Sequence, residues 1–141
     1  MPDHPVFPVS VVTPEGPAFE GEAEMLIVPG AAGEIGVLAR HAPLIATLRA
    51  GRTRIHLGEG TDVLEYATGP GFFQVLNDRA IALVDDAIEA SQIDVGRAQA
   101  QLEAARAELD ALERGESAGD RWQIEQRIRH AENQLAVLGR S

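Results

Sequence analysis

The chain has 141 residues, 22 of them acidic and 12 basic, for a formal net charge of −10. Every basic residue is an arginine and there is no cysteine, which excludes disulfides, thiolate metal sites, a thiol nucleophile and any phosphate loop that needs a lysine. The acidic balance argues against nucleic acid or an anionic bilayer held by bulk electrostatics, and leaves cationic protein surfaces as partners.

The opening Met1-Pro2-Asp3-His4-Pro5 lacks the basic-then-apolar order of an export signal. The longest unbroken apolar run covers only residues 80–84, far short of the roughly 20 needed to cross a bilayer as a helix. A soluble cytoplasmic chain that meets the membrane only through a partner is expected.

Eight short strands are predicted, at residues 6–12, 23–28, 34–38, 44–48, 52–57, 62–67, 72–76 and 80–84. Turn signals separate them: Pro14-Glu15-Gly16, Pro29-Gly30, Ala50-Gly51, Gly58-Glu59-Gly60, Gly69-Pro70-Gly71 and Asn77-Asp78. Many short strands at this spacing predict a sandwich or barrel. The aromatics before residue 87 are Phe7, Phe19, Tyr66, Phe72 and Phe73, so its core must be mainly aliphatic.

The composition changes near residue 87. All eight prolines precede it, with 12 acids and five arginines; 10 acids and seven arginines follow. After it, Ser91 reads as a helix cap with Asp94 three residues on. Ala98, Leu102, Ala105, Leu109 and Leu112 then recur at steps of four and three. A break at residues 114–119 is followed by Asp120 as a second cap, and Ile124, Ile128, Ala131, Leu135 and Leu138 repeat the rhythm before Gly139. Two such stripes joined by a short loop predict an antiparallel helical hairpin. The fold class is therefore α+β in two domains, a mainly β sandwich or barrel over 1–86 and a two-helix hairpin over 87–141. A hairpin this small and alanine-rich buries little. It should rest on the sandwich, dock on a partner, or exchange between them.

Catalytic signals are weak. Gly115-Glu116-Ser117-Ala118-Gly119 matches a nucleophile elbow, but an elbow lies between a strand and a helix of a large parallel sheet; between two helical stripes it reads as a loop. Gly30-Ala31-Ala32-Gly33-Glu34-Ile35-Gly36 reads as a tight interstrand turn. No two of His4, His41, His56 and His130 are three or four apart, so helical metal ligation has no support. His41, before Ala42-Pro43, is a turn residue or an interface and proton-linked one. Asp85-Asp86 reads as a solvated pair at a strand end. No catalytic residue and no metal is assigned.

The run Gly33-Glu34-Ile35-Gly36-Val37-Leu38-Ala39-Arg40-His41-Ala42-Pro43-Leu44, continuing to Leu48-Arg49-Ala50-Gly51, resembles the signature of the epsilon subunits of F-type, proton-translocating ATP synthases. Residues 6–14 with Phe19-Glu20-Gly21 resemble that family's opening strand pair, and Ile93-Asp94-Val95-Gly96-Arg97-Ala98 its motif at the start of the first C-terminal helix. The resemblance implies a non-catalytic central-stalk subunit that couples c-ring rotation to ATP synthesis and inhibits ATP hydrolysis through its hairpin. It implies the gamma subunit, the c ring and the beta and alpha subunits as partners, on the cytoplasmic face of the membrane. Glu34 and His41 would lie on the c-ring side; Arg114, Arg121, Arg127 and Arg129 would carry the hairpin to acidic segments of the catalytic heads, unless they serve as helix pairs such as Glu125 with Arg129.

Some members of that family bind ATP as a regulatory ligand between the folded helices. By resemblance Ile93, Asp94, Arg97, Ala98 and Arg127 would form such a site, with Arg97 on phosphate. Here the position four residues after Arg127 is Ala131, so the second arginine of the family's pair is missing. No cofactor is required. The alternative function is a stand-alone ATP-sensing protein built on residues 93–98; a hydrolase at Ser117 is a third reading.

Overall fold

The computed structural model describes residues 5–58 and 62–139; His4 and the Glu59-Gly60 part of the predicted turn lie outside the described residues. In chain order the strands are β1 (Phe7–Thr13), β2 (Gly16–Ala23), β3 (Met25–Gly30), β4 (Gly33–Leu38), β5 (Leu44–Leu48), β6 (Gly51–His56), β7 (Val63–Thr68), β8 (Gly71–Leu76), β9 (Arg79–Val84) and β10 (Ala87–Glu89). A 3-10 turn at Ala90–Gln92 leads to α1 (Val95–Glu113), and α2 (Arg121–Val137) follows.

Hydrogen bonding joins the strands in the order β10-β7-β6-β3-β5-β8-β9-β1-β2, with β4 added beside β3. All neighbours are antiparallel except β1 and β9, which run parallel. Alternation fixes which face turns inward. Phe7, Val9 and Val11 of β1, Phe73 and Val75 of β8, and Ala80, Ala82 and Val84 of β9 meet Leu26, Val28, Val37, Leu48, Ile55 and Tyr66 in one buried cluster. Strands from the whole length of the sheet share this cluster, so the sheet curls into a nearly closed sandwich. Its core is aliphatic apart from Phe7, Tyr66 and Phe73.

Turn chemistry acts where expected. Asn77 and Asp78 both hold positive φ, at 52° and 59°, between paired Leu76 and Arg79, the two-residue turn whose twist suits a hairpin. The glycine-rich run is likewise a turn: Gly30 faces Gly33 across Ala31-Ala32. A Cβ on Gly30 would stand 2.6 Å from the Gly33 carbonyl oxygen, so the backbones meet where no side chain fits.

Two strands escape the pattern of apolar alternation. β2, which only the resemblance at Phe19-Glu20-Gly21 pointed to, hydrogen-bonds along β1 through exposed and half-buried residues, and only its last residue, Ala23, is fully buried. β10 is three residues long and pairs Ala87, Ile88 and Glu89 with Thr68, Ala67 and Tyr66 of β7. The sheet therefore runs to Glu89, past the composition change at 86/87, because proline and charge mark where turns stop rather than where the last ladder ends.

The helices form an antiparallel hairpin with an apolar seam of its own, made by Ala98, Leu102, Ala131 and Leu135 with Val95 and Ile128 against them. The cap of α1 is Asp94, not Ser91: its carboxylate accepts the Arg97 amide at 3.0 Å, while Ser91 lies in the preceding 3-10 turn. Asp120 caps α2 as expected, accepting from the Trp122 and Gln123 amides. Gly115, at φ 75°, closes α1 as Glu116 N–H donates to Ala111 O and Gly115 N–H to Leu112 O, a glycine stop. Ser117 Oγ accepts the Gly119 amide within this loop, which is a connector.

Candidate functional site: a bare sheet face and a docked hairpin

Phe72 and Phe73 are adjacent in a strand, so only one can enter the core. Phe73 does; Phe72 stands 63% exposed on the outer face. Directly across on β9 is Leu83, 53% exposed; on β5 Thr47 is the partner of Phe72, and Ile45, 77% exposed, stands diagonally from it, opposite Gln74. Leu76 extends the patch along β8, and a shallow cleft lined by Pro43, Leu44, Ile45, Gln74, Val75 and Leu76 borders it. Exposed apolar side chains gathered on one sheet face are a candidate interaction surface; Gln74 is the polar residue among them.

The hairpin leaves that face uncovered. It lies instead on β6 and β7 through α2, with Val137 buried on that side and a set of polar contacts beside it. Asn133 Nδ2 donates to Thr68 O at 2.9 Å and to Gly51 O at 3.4 Å. Arg52 Nη2 donates to Val137 O at 2.9 Å, which places a cation at the negative end of α2. Gln126 Nε2 donates to Asp85 Oδ2 at 3.0 Å, and His130 Nε2 lies 3.3 Å from the same oxygen. Its Nδ1 is 4.0 Å from Asp86 Oδ2. Gln126, His130, Asn133 and Val137 recur at steps of four, three and four, one stripe of α2 beside the apolar seam. The Asp85-Asp86 pair is therefore half-buried beneath the helix rather than solvated. Burial pushes the Asp86 carboxyl above the ordinary carboxylate range; the nearby His130 acts in the opposite sense, and Asp85 and Glu15 add to the rise.

Known proteins align with both parts. A family model, ATP synthase, Delta/Epsilon chain, beta-sandwich domain, matches residues 6–90. The ATP synthase epsilon chain of Rubrobacter xylanophilus is 38% identical over 92% of this chain and 90% of its own length. That of Halalkalibacterium halodurans is 38% identical over 96% of this chain and 99% of its own. The chain belongs to the ATP synthase epsilon-chain family. A chain in the OSCP/F1/c-ring structure of Euglena gracilis mitochondrial ATP synthase shares the fold, with TM-score 0.71 and 22% identity over 96% of this chain and 84% of that one.

Within this epsilon fold the residues singled out by sequence are spread over three places. Glu34 is on β4, where both carboxylate oxygens lie 3.2 Å from Arg54 Nη2 of β6. His41 sits in the β4–β5 loop with Nδ1 2.7 Å from Ala42 O. Three of the four hairpin arginines already have carboxylate partners: Arg114 with Glu116, Arg121 with Glu113 and Glu125, and Arg127 with Glu108. Arg129 has no ion pair among the described residues, because Glu125 turns to Arg121 instead. These pairs are exposed, and exposed pairs contribute roughly 0–1 kcal/mol.

The nucleotide set is not brought together. Asp94 is occupied as a helix cap. Ile93 and exposed Arg97 lie at the start of α1, where Ala98 is buried in the seam. Arg127 pairs with Glu108, eleven residues along α1 from Arg97, or about 16 Å of helix. The groove between the helices, about 690 Å³, is bordered by Glu103, Glu132 and Arg106 among others, and Arg106 is paired with Glu132. None of Ile93, Asp94, Arg97, Ala98 and Arg127 is among the residues that line this groove.

Sequence reasoning missed Ile45 and Phe72 as a surface, and Arg52, Asp85, Gln126 and Asn133 as a dock. The Phe72-Phe73 doublet carried the first signal. The second was the polar stripe on α2, visible only once its apolar neighbour was assigned to the hairpin seam.

Proposed function

We propose that this chain is the non-catalytic epsilon subunit of a central stalk, that its bare sheet face binds the gamma subunit, and that its hairpin, when released, restrains ATP hydrolysis. The observation that carries this is the apolar face of Ile45, Phe72 and Leu83, left open by a hairpin held elsewhere through polar contacts. Such a face is costly to leave in water at about 25 cal/mol per Å², and a permanent partner covers it. The β4 edge and following loop, with Glu34 and His41, would then turn toward the c ring. Released, the hairpin would offer Arg114, Arg121, Arg127 and Arg129 to acidic segments of the beta and alpha subunits. The subunit would be peripheral, on the cytoplasmic face of the membrane; among the described residues no helix is long and apolar enough to cross a bilayer.

The test is co-purification with gamma. Phe72→Glu sets a charge in the middle of the patch, and binding is expected to fall by at least 100-fold, or about 2.7 kcal/mol. Unchanged binding by Phe72→Glu and by Ile45→Glu would remove this face from the interface.

A further inference from the structure

We propose that Asp78 is a positioning residue: its carboxylate clasps the β4–β5 loop to the β8–β9 turn and sets the pose of His41. The proposal rests on the reading that this loop turns toward the c ring, and names the group that holds the loop ready for that contact.

The backbone is unusual at this end of the sandwich. Among the described residues only three non-glycine residues hold positive φ: Arg40 at 65°, Asn77 at 52° and Asp78 at 59°. That region is sterically costly for a residue with a Cβ. All three lie in two loops that meet across 38 residues of sequence, where the Arg40 amide donates to Asp78 Oδ1 at 2.5 Å. Among the described residues it is the one hydrogen bond that joins these two loops outside the strand ladders. Strained backbone gathered at one contact, rather than scattered, points to a feature that the surrounding structure holds in place.

Each side of the clasp accounts for a residue choice. Asn77-Asp78 is a two-residue turn between paired Leu76 and Arg79, and its second position is the one that glycine suits best. An aspartate there gives up backbone freedom and supplies an ionised acceptor, which makes a stronger hydrogen bond than a neutral one. On the other side the loop is held by its backbone. Arg40 is exposed, and its side chain has no ion pair among the described residues.

The clasp falls one residue before His41. Leu38, opposite Met25, ends the β3–β4 ladder, and Leu44, opposite Val75, begins the β5–β8 ladder. Between them His41 Nδ1 lies 2.7 Å from Ala42 O, a contact internal to the loop. Pro43 biases Ala42 toward extended backbone. The clasp therefore ties the middle of the loop to the rest of the sandwich. A free loop loses conformational freedom when a partner binds it, and a loop held beforehand loses less. Asp78 acts on the partner by this route, through the loop that carries His41.

The test uses the full chain and the epsilon-free stalk, c ring with gamma, in detergent. Asp78→Gly removes the carboxylate and keeps the turn, because glycine favours its φ. Stalk binding is expected to weaken roughly fivefold, and exchange of the Arg40 amide in the free chain to quicken roughly tenfold. Asp78→Asn keeps an oxygen that can accept this amide and should recover most of both. In a His41→Ala background, Asp78→Gly should weaken binding by less than about twofold, because the group it positions is gone. Equal losses in the two backgrounds would overturn the positioning role, and so would unchanged Arg40 exchange in Asp78→Gly. Unchanged binding by His41→Ala alone would remove the c-ring reading, and the positioning role with it, whereas the exchange in the free chain judges the clasp without any partner.

Discussion

The sandwich interior and the seat of the hairpin are built from opposite materials. The interior is a closed aliphatic cluster around Phe7 and Phe73, with the buried Thr53 and Thr68 hydroxyls satisfying each other at 2.8 Å. The seat is a set of side-chain hydrogen bonds between α2 and β6, β7 and the β9–β10 turn. Burial of apolar area is large and non-directional, whereas a hydrogen bond exchanged with water contributes a net of about 0.5–1.5 kcal/mol. That difference is what the proposed release of the hairpin would require. The hairpin has an apolar seam of its own, separate from the sandwich core.

The contrast can be broken by mutation at either side. The largest effect should come from Phe73→Ala, which empties the middle of the sandwich and is expected to cost about 3–5 kcal/mol; chemical denaturation followed by strand circular dichroism measures it. Asn133→Ala should cost about 1 kcal/mol and show a different signature, a fall in the docked fraction with an unchanged sandwich transition. If it lowered the sandwich transition as well, the two regions would be one cooperative unit. Phe72→Glu should have the smallest effect on stability, within about 0.5 kcal/mol, because the side chain already lies in water, and its loss should be confined to gamma binding.

Much of this was legible from residues alone. Periods of two and of 3.5 separated the β part from the helical part, Asn77-Asp78 and Gly30-to-Gly33 placed turns, and Asp120 and Gly139 bounded α2. What escaped was whatever depends on a neighbour distant in sequence. β2 is a strand because β1 pairs with it, not because its own residues alternate. Asp94 rather than Ser91 caps α1 because a 3-10 turn intervenes. Asp85 is drawn under α2 by contacts 41 and 45 residues away, and no local pattern encodes that. Arg97 and Arg127, grouped only by resemblance, lie on different helices, and Arg127 meets Glu108 of α1 rather than the start of that helix.

The most direct test of the central claim is the ATPase activity of the assembled complex carrying either the whole chain or a chain ended after Gln92, which keeps β10 and removes both helices. If the hairpin is a releasable restraint, the shortened chain supports assembly and hydrolysis rises several-fold. Equal hydrolysis by the two intact complexes would contradict it.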